Sequence, residues 1–144
     1  MKTYILYAAL VAAIAGGVWL SLRPDPATVA KAATPAQGAA LVAISLPETL
    51  SAQAVMGKRA FESTCITCHG KNATGKAGFG PPLVHKIYEP SHHGDMAFLA
   101  AVQAGVRAHH WRFGNMPPQE GLTRADTANI VTYVRELQRA NGIN

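Results

Sequence analysis

An all-α domain, preceded by an N-terminal transmembrane helix and a linker, is the architecture the sequence predicts. Three observations carry it. Three stretches repeat apolar residues at helical spacing behind recognisable caps, and no alternating apolar–polar run of strand type appears at any length. A 19-residue uncharged stretch, YILYAALVAAIAGGVWLSL, covers residues 4–22. Composition agrees: apolar residues are 49% of the 144, charged residues only 15%, and the net charge is +5. So little charge does not suit a disordered chain. Collagen is excluded because glycine has no period, and two cysteines are too few for a disulfide-dense scaffold.

The first element is residues 1–22. At 1.5 Å per helical residue the uncharged stretch reaches roughly 28 Å, close to a bilayer core. Tyr4, Tyr7 and Trp19 lie near its ends, where amphipathic rings favour the membrane interface. A cleaved signal peptide competes, with Lys2 as its positive end and Ala13-Ile14-Ala15 as its cleavage site. The strongly apolar VWLSL that follows argues against that site, and Ala30-Lys31-Ala32 lies far past the apolar core. An uncleaved anchor is therefore expected. A buried soluble helix fits poorly, since no polar face is marked. On either leading reading the rest of the chain is exported. The positive-inside count is a near tie, with Lys2 and the amine on one side and Arg23 and Lys31 on the other.

Residues 23–50 read as a linker, rich in Ala and Pro and interrupted by Pro24, Pro26 and Pro35. Within it, LVAISLP (41–47) suits either a strand or a segment lying against the domain. The domain itself is 51–144. It is long enough for one small core, and a large apolar cofactor would supply missing buried surface. From residue 52 onward, ten Lys/Arg face six Asp/Glu, a mild +4.

Its helices follow in order. Ser51 caps a helix over 52–63, with Val55, Met56 and Phe61 apolar. Asp95 opens a second, carrying Phe98, Leu99, Val102 and Val106 at helical spacing. Thr123 with Asp126 resembles a capping box for a third. Ile130, Tyr133, Val134 and Leu137 make its stripe, Arg124, Arg135 and Arg139 fall mostly off it, and Gly142 ends it. Between the helices run GKNATGKAGFGPPL and RFGNMPPQEG. Long structureless loops in so small a domain imply that they wrap something.

Cys65-Ile66-Thr67-Cys68-His69 is a C-x-x-C-H motif. Two thiols at this spacing can each add to one vinyl group of a haem, holding the next residue, His69, beside the iron as an axial ligand. A redox C-x-x-C pair or half a zinc site are the rivals. The first should sit near a strand–helix unit and the second needs further ligands; neither context is apparent. A six-coordinate haem needs a ligand on its other face. Met116 lies in Gly114-Asn115-Met116-Pro117-Pro118, 47 residues beyond His69, where glycine permits close backbone approach and prolines stiffen the loop. Met56 and Met96 fall in predicted helices, so core packing explains them.

Residues 52–144 resemble a class I c-type cytochrome of the small monohaem kind. Gly57, Phe61 and Cys65 stand four apart as in that family's first helix, and Ile130 and Tyr133 match its last. Gly80-Pro81-Pro82-Leu83 is similar to its turn after the attachment site, and the Met116 loop to its distal-ligand loop. The resemblance covers about two thirds of the chain. It implies a class I cytochrome c fold, three or more helices around one covalently attached haem c, and single-electron transfer. It also implies that Gly57 permits a close crossing of first and last helices, that Phe61 packs on Tyr133, and that the Pro81 carbonyl accepts the proton-bearing nitrogen of His69. Such domains occur tethered by their amino end. The family attaches haem outside the cytoplasm, which puts the domain on the periplasmic side of a bacterial inner membrane.

With His69 and Met116 on the iron, no open coordination position remains. An electron carrier is expected, not an enzyme, with no small-molecule substrate. Leu83, Phe79 and Phe113 are candidates to pack on the porphyrin. The mild positive charge suits an acidic redox partner, an oxidase or reductase, although a merely soluble surface explains it as well. Nucleic acid is not an expected partner, since no basic run with aromatics appears. Two alternatives stand: a haem enzyme such as a peroxidase with a labile Met116, and a non-haem zinc or copper module.

The family does not require His85, His92, His93, His109 and His110. Surface loops and hydrogen bonds to haem propionates are the bland reading, in which Trp111, Arg112 or Arg107 would share. A second copper or zinc site is the sharper one, weakened because adjacent histidines rarely face one ion. A histidine replacing Met116 on the iron is a third.

Overall fold

The computed structural model describes residues 2–22 and 35–144, with side chains for 12–22 and 35–144. It falls into two compact units, Met1–Thr34 and Pro35–Asn144. The first contains helix α1 (Lys2–Ser21). Among its described side chains Ile14, Val18, Trp19, Leu20 and Leu22 are exposed. Among the described residues no helix is long and apolar enough to cross a membrane. Of the anchor expected over 4–22, the side chains of 4–11 lie outside the described residues, as does the linker from 23 to 34.

The regular structure of the second unit is helical. It contains α2 (Ala52–Thr64), the single turn α3 (Ile66–His69), α4 (Asp95–Ala104) and α5 (Arg124–Ala140). Two 3-10 turns, Lys71–Ala73 and Lys86–Tyr88, punctuate the loops. Among the described residues there is no strand, only isolated bridges pairing Lys76 with Gly80 and Val106 with Met116.

Each helix begins for a local reason. Ser51 Oγ accepts the Ala54 N–H at 3.1 Å, satisfying one of the free donors of α2. Thr123 and Asp126 form the full capping box of α5, each side chain taking the other's backbone N–H. Helix α4 starts at Asp95 with Gly94 as its cap and stops at Gly105, so Val106 lies beyond it.

The core is the crossing of α2 and α5. Gly57 faces the Asn129–Ile130 backbone so closely that a Cβ there would lie 1.8 Å from the Asn129 carbonyl oxygen. One step along, Phe61 meets Tyr133 edge-on at 5.7 Å, both fully buried. Ala54, Ala73, Val84, Ile130, Val134 and Leu137 complete the cluster. Burying an aromatic the size of Phe61 contributes about 1.5–3 kcal/mol. The buried face of α2 is therefore Ala54, Gly57 and Phe61. Val55 and Met56 are exposed, and so is Met96 on α4. Helical membership alone did not make those methionines core residues.

Residues 35–50 lie against the domain. Gly38 N–H donates to Ala77 O and Ala77 N–H to Ala39 O, both at 2.8 Å. The Leu41 and Val42 amides both donate to Thr74 O, and Ser45 exchanges two 2.8 Å bonds with the side-chain amide of Asn141. Of the two expectations for 41–47, the segment packs and forms no strand.

Arg135, expected mostly off the apolar stripe of its helix, is nonetheless buried. Its guanidinium donates to Asp95 Oδ1 (2.8 Å), Tyr88 O (2.7 Å), Gln138 Oε1 (2.6 Å) and His93 O (2.5 Å). Gln138, fully buried beside it, donates to Leu83 O and Tyr88 O. Together they fasten the 83–93 loop to α5.

Candidate functional site

Cys65 closes α2, donating its N–H to Phe61 O at 2.8 Å, and begins the turn α3 that carries Cys68 and His69. Cys68 and His69 both donate backbone N–H to Cys65 O, at 3.2 and 2.9 Å, so one helical turn holds all three side chains. Cys65 is half-buried, Cys68 exposed, and both are free thiols.

His69 Nδ1 lies 2.9 Å from Pro81 O. A carbonyl only accepts, so Nδ1 carries the proton and Nε2 keeps its lone pair. Burial lowers the His69 pKa, and the Pro81 bond opposes this in part. The imidazole is thereby favoured in the neutral form that ligates a metal. The bond expected from the 80–83 turn is present.

The thiols discriminate between the readings of the motif. Burial, with Cys68 adding to it, pushes the Cys65 thiol up to about 11. A redox C-x-x-C pair works through a lowered thiol pKa, so the environment is the reverse of what that chemistry needs. Nor do these residues complete a zinc site. Among the described residues, the three-donor grouping at metal-binding distance is His92, His93 and His110, which includes neither cysteine.

Met116 sits on the second loop, half-buried, its backbone paired with Val106 by bonds of 2.9 and 3.0 Å. Gly105 makes that pairing possible. Its φ is +75°, and a Cβ there would lie 2.6 Å from Met116 O. Asn115 Oδ1 accepts the Ala108 N–H at 2.9 Å, closing the loop on itself. The glycine before Met116 that sequence reasoning pointed to, Gly114, stands in open space, so the close approach occurs at Gly105.

On the same loop Trp111 Nε1 is a buried donor without a hydrogen-bond partner among the described residues. The Tyr88 hydroxyl is near enough to feel the indole N–H, which counters part of the burial that raises the Tyr88 pKa. The two nevertheless fall short of hydrogen-bond geometry. An orphaned buried N–H is rare and marks a missing acceptor. Trp111 packs against His85 at 5.1 Å and Phe113 at 6.1 Å. Phe79 is exposed under the Lys76 ammonium, 4.3 Å from the ring centre, and Leu83 is packed at the core's edge.

The donor set thus fits a haem. Two thiols lie on one turn, a neutral imidazole is oriented by a carbonyl, a thioether stands on a pinned loop, and an indole N–H waits for an acceptor such as a propionate.

Four of the remaining histidines converge in the fold. His92 and His93 lie in the turn before α4 and His109 and His110 in the loop after it, and their rings meet. The only sequence signal was two His-His doublets bracketing one helix. Partial desolvation, then the nearby His109, His93 and His92, lowers the pKa of the exposed His110.

In a comparison with known families, the model described as cytochrome c matches residues 54–138.

Proposed function

The chain belongs to the cytochrome c family, whose members bind haem covalently and act in haem-based electron transfer, and we propose that it is a membrane-tethered, single-haem electron carrier. Cys65 and Cys68 would form the two covalent links to the haem, and His69 and Met116 would ligate its iron. The observation that carries this reading is the His69 Nδ1–Pro81 carbonyl bond at 2.9 Å, made one residue after the second thiol. It fixes which nitrogen is offered to iron and raises its basicity.

Haem c, when bound, supplies an iron that passes between its ferrous and ferric states. The chain's own residues do the rest. Cys65 and Cys68 hold the porphyrin on one helical turn. Pro81 holds the ring of His69. The Val106–Met116 pairing holds the thioether, whose ligation favours the ferrous state. The Trp111 N–H offers a neutral donor to a propionate. Because the fold holds both the His69 ring and the Met116 loop, these residues would limit nuclear rearrangement during electron exchange.

Tethering rests on the uncharged stretch 4–22 together with the exposed apolar side chains of α1. Covalent attachment in this family takes place outside the cytoplasm, which supports a periplasmic domain that exchanges electrons with redox partners such as an oxidase or reductase.

Haem staining after denaturing electrophoresis tests the attachment, since a thioether-linked haem survives denaturation. Cys65→Ser with Cys68→Ser should abolish the stain. Met116→Ala should remove the methionine–iron charge-transfer band of the ferric protein and lower its reduction potential. A wild-type band that survives Met116→Ala would overturn the ligand assignment.

A further inference from the structure

We propose that His92, His93 and His110 form a binding site for a divalent transition-metal ion of the zinc class, separate from the Cys65–Cys68–His69 motif. One donor atom from each lies within 4.8 Å of the other two. His92 Nε2 and His110 Nε2 are 3.3 Å apart. Two imidazole nitrogens at about 2.0–2.1 Å from a tetrahedral zinc are separated by about 3.3–3.4 Å, so this pair already spans one edge of the polyhedron.

The third ligand is oriented from behind. His93 Nδ1 lies 2.7 Å from Ile87 O, which assigns the proton to Nδ1 and leaves Nε2 to ligate. The objection to adjacent histidines is met by the backbone. His92 and His93 lie in a turn whose amides both donate to Glu89 O, at 3.0 and 2.8 Å. That turn brings the two rings within 4.6 Å, tilted at 73°. The His93 carbonyl is in turn held by Arg135 of α5.

The opposite arm is His109-His110. The His109 ring lies 4.2 Å from that of His110, and its Nδ1 meets Arg107 O at 2.8 Å. His109 or a water would take the fourth position. Among the described residues no carboxylate pairs with any of these imidazoles, so their lone pairs are not spent on ion pairs. Neutral imidazole is the ligand that zinc, copper and nickel share. The ion would join the loop before α4 to the loop that carries Met116.

The test uses the full chain with its haem attached. Equilibrium dialysis against Zn(II) should load one ion per chain, and zinc should raise the thermal midpoint. His92→Ala with His110→Ala should weaken uptake at least about 100-fold and abolish the thermal shift, with the haem spectrum unchanged. His85→Ala serves as the control, because His85 accepts the Ile87 N–H at 3.2 Å and packs on Trp111 instead of joining the cluster. Should the double variant lose its haem spectrum, the single changes His92→Gln and His110→Gln decide, each expected to cost at least about tenfold. No uptake by the parent chain, or uptake that these changes leave intact, would overturn the proposal. Haem staining reports on the electron-transfer reading independently.

Discussion

Gly57→Ala probes the packing that supports the whole site. The added Cβ would lie 1.8 Å from Asn129 O, 2.3 Å from Asn129 C and 2.9 Å from Ile130 N, all of them backbone. Restoring ordinary contact means opening the nearest approach from 1.8 Å to at least 3.4 Å. No rotamer change can do that, so α2 and α5 must part. Overpacking costs about 1–3 kcal/mol when side chains can yield, and rigid backbone puts this case at the upper end or beyond. Parting also loosens the Phe61–Tyr133 edge contact, for about 0.5–1.5 kcal/mol more. Alanine's better helix propensity returns about 1 kcal/mol. The net loss should be about 3 kcal/mol or more. In a domain of this size each kcal/mol moves the midpoint about 4–8 °C, so a drop of at least about 12 °C is expected. The assay is thermal and guanidinium unfolding of the haem-loaded protein followed by far-UV circular dichroism. Gly121→Ala is the comparison: its φ of +80° strains alanine, but nothing lies within 4 Å of the new Cβ. That change should cost only about 1–2 kcal/mol. A Gly57→Ala protein within about 1 kcal/mol of the parent would refute the close-crossing argument.

Arg135→Ala should destabilise by about 3 kcal/mol, because the Tyr88 and His93 carbonyls and the Gln138 amide lose a charged donor. Asp95→Asn should cost under about 1 kcal/mol when both variants are unfolded in urea, since its carboxylate is mostly exposed; equal losses would reject this division. Asp126 supplies a pH test. Hydrogen bonds from the Thr123 hydroxyl and amide hold its carboxyl below the ordinary aspartate value. A depressed carboxyl pKa stabilises the fold above the unfolded value and is lost as pH falls through the folded one. The urea midpoints of parent and Asp126→Asn should therefore differ near neutrality and converge below about pH 4. A gap that persists in acid would deny the linkage.

Helices were legible where caps and stripes coincide. Ser51 and the Thr123–Asp126 box mark their helix starts within a residue, because a cap is a local hydrogen bond whose two partners lie three residues apart. The attachment motif was legible for a similar reason. Covalent chemistry demands fixed spacing, and Cys65, Cys68 and His69 share one turn in consequence. The exposure of Val55, Met56 and Met96 was not legible. Apolarity at helical spacing marks a face, and whether a neighbour covers that face depends on where distant segments arrive.

Arg135 shows the same limit from the polar side. On a helical wheel it stands off the stripe of Ile130, Tyr133, Val134 and Leu137, which leaves its charge to solvent. The three backbone and side-chain oxygens that pull it inward arrive from Tyr88, His93 and Gln138, two of them in a loop without periodicity. Such a loop carries unpaired carbonyls that must be satisfied somewhere, and a guanidinium with five donors can gather several at once. A long irregular loop beside a helix rich in arginine is thus a reason to expect one arginine inside. The same reasoning connects the two sites: the carbonyl that anchors His93 is held by Arg135, while the carbonyl that orients the His93 ring, Ile87 O, lies in the adjoining 3-10 turn. Loss of Arg135 should therefore loosen the zinc-class site before it disturbs His69, whose partner Pro81 lies outside that network.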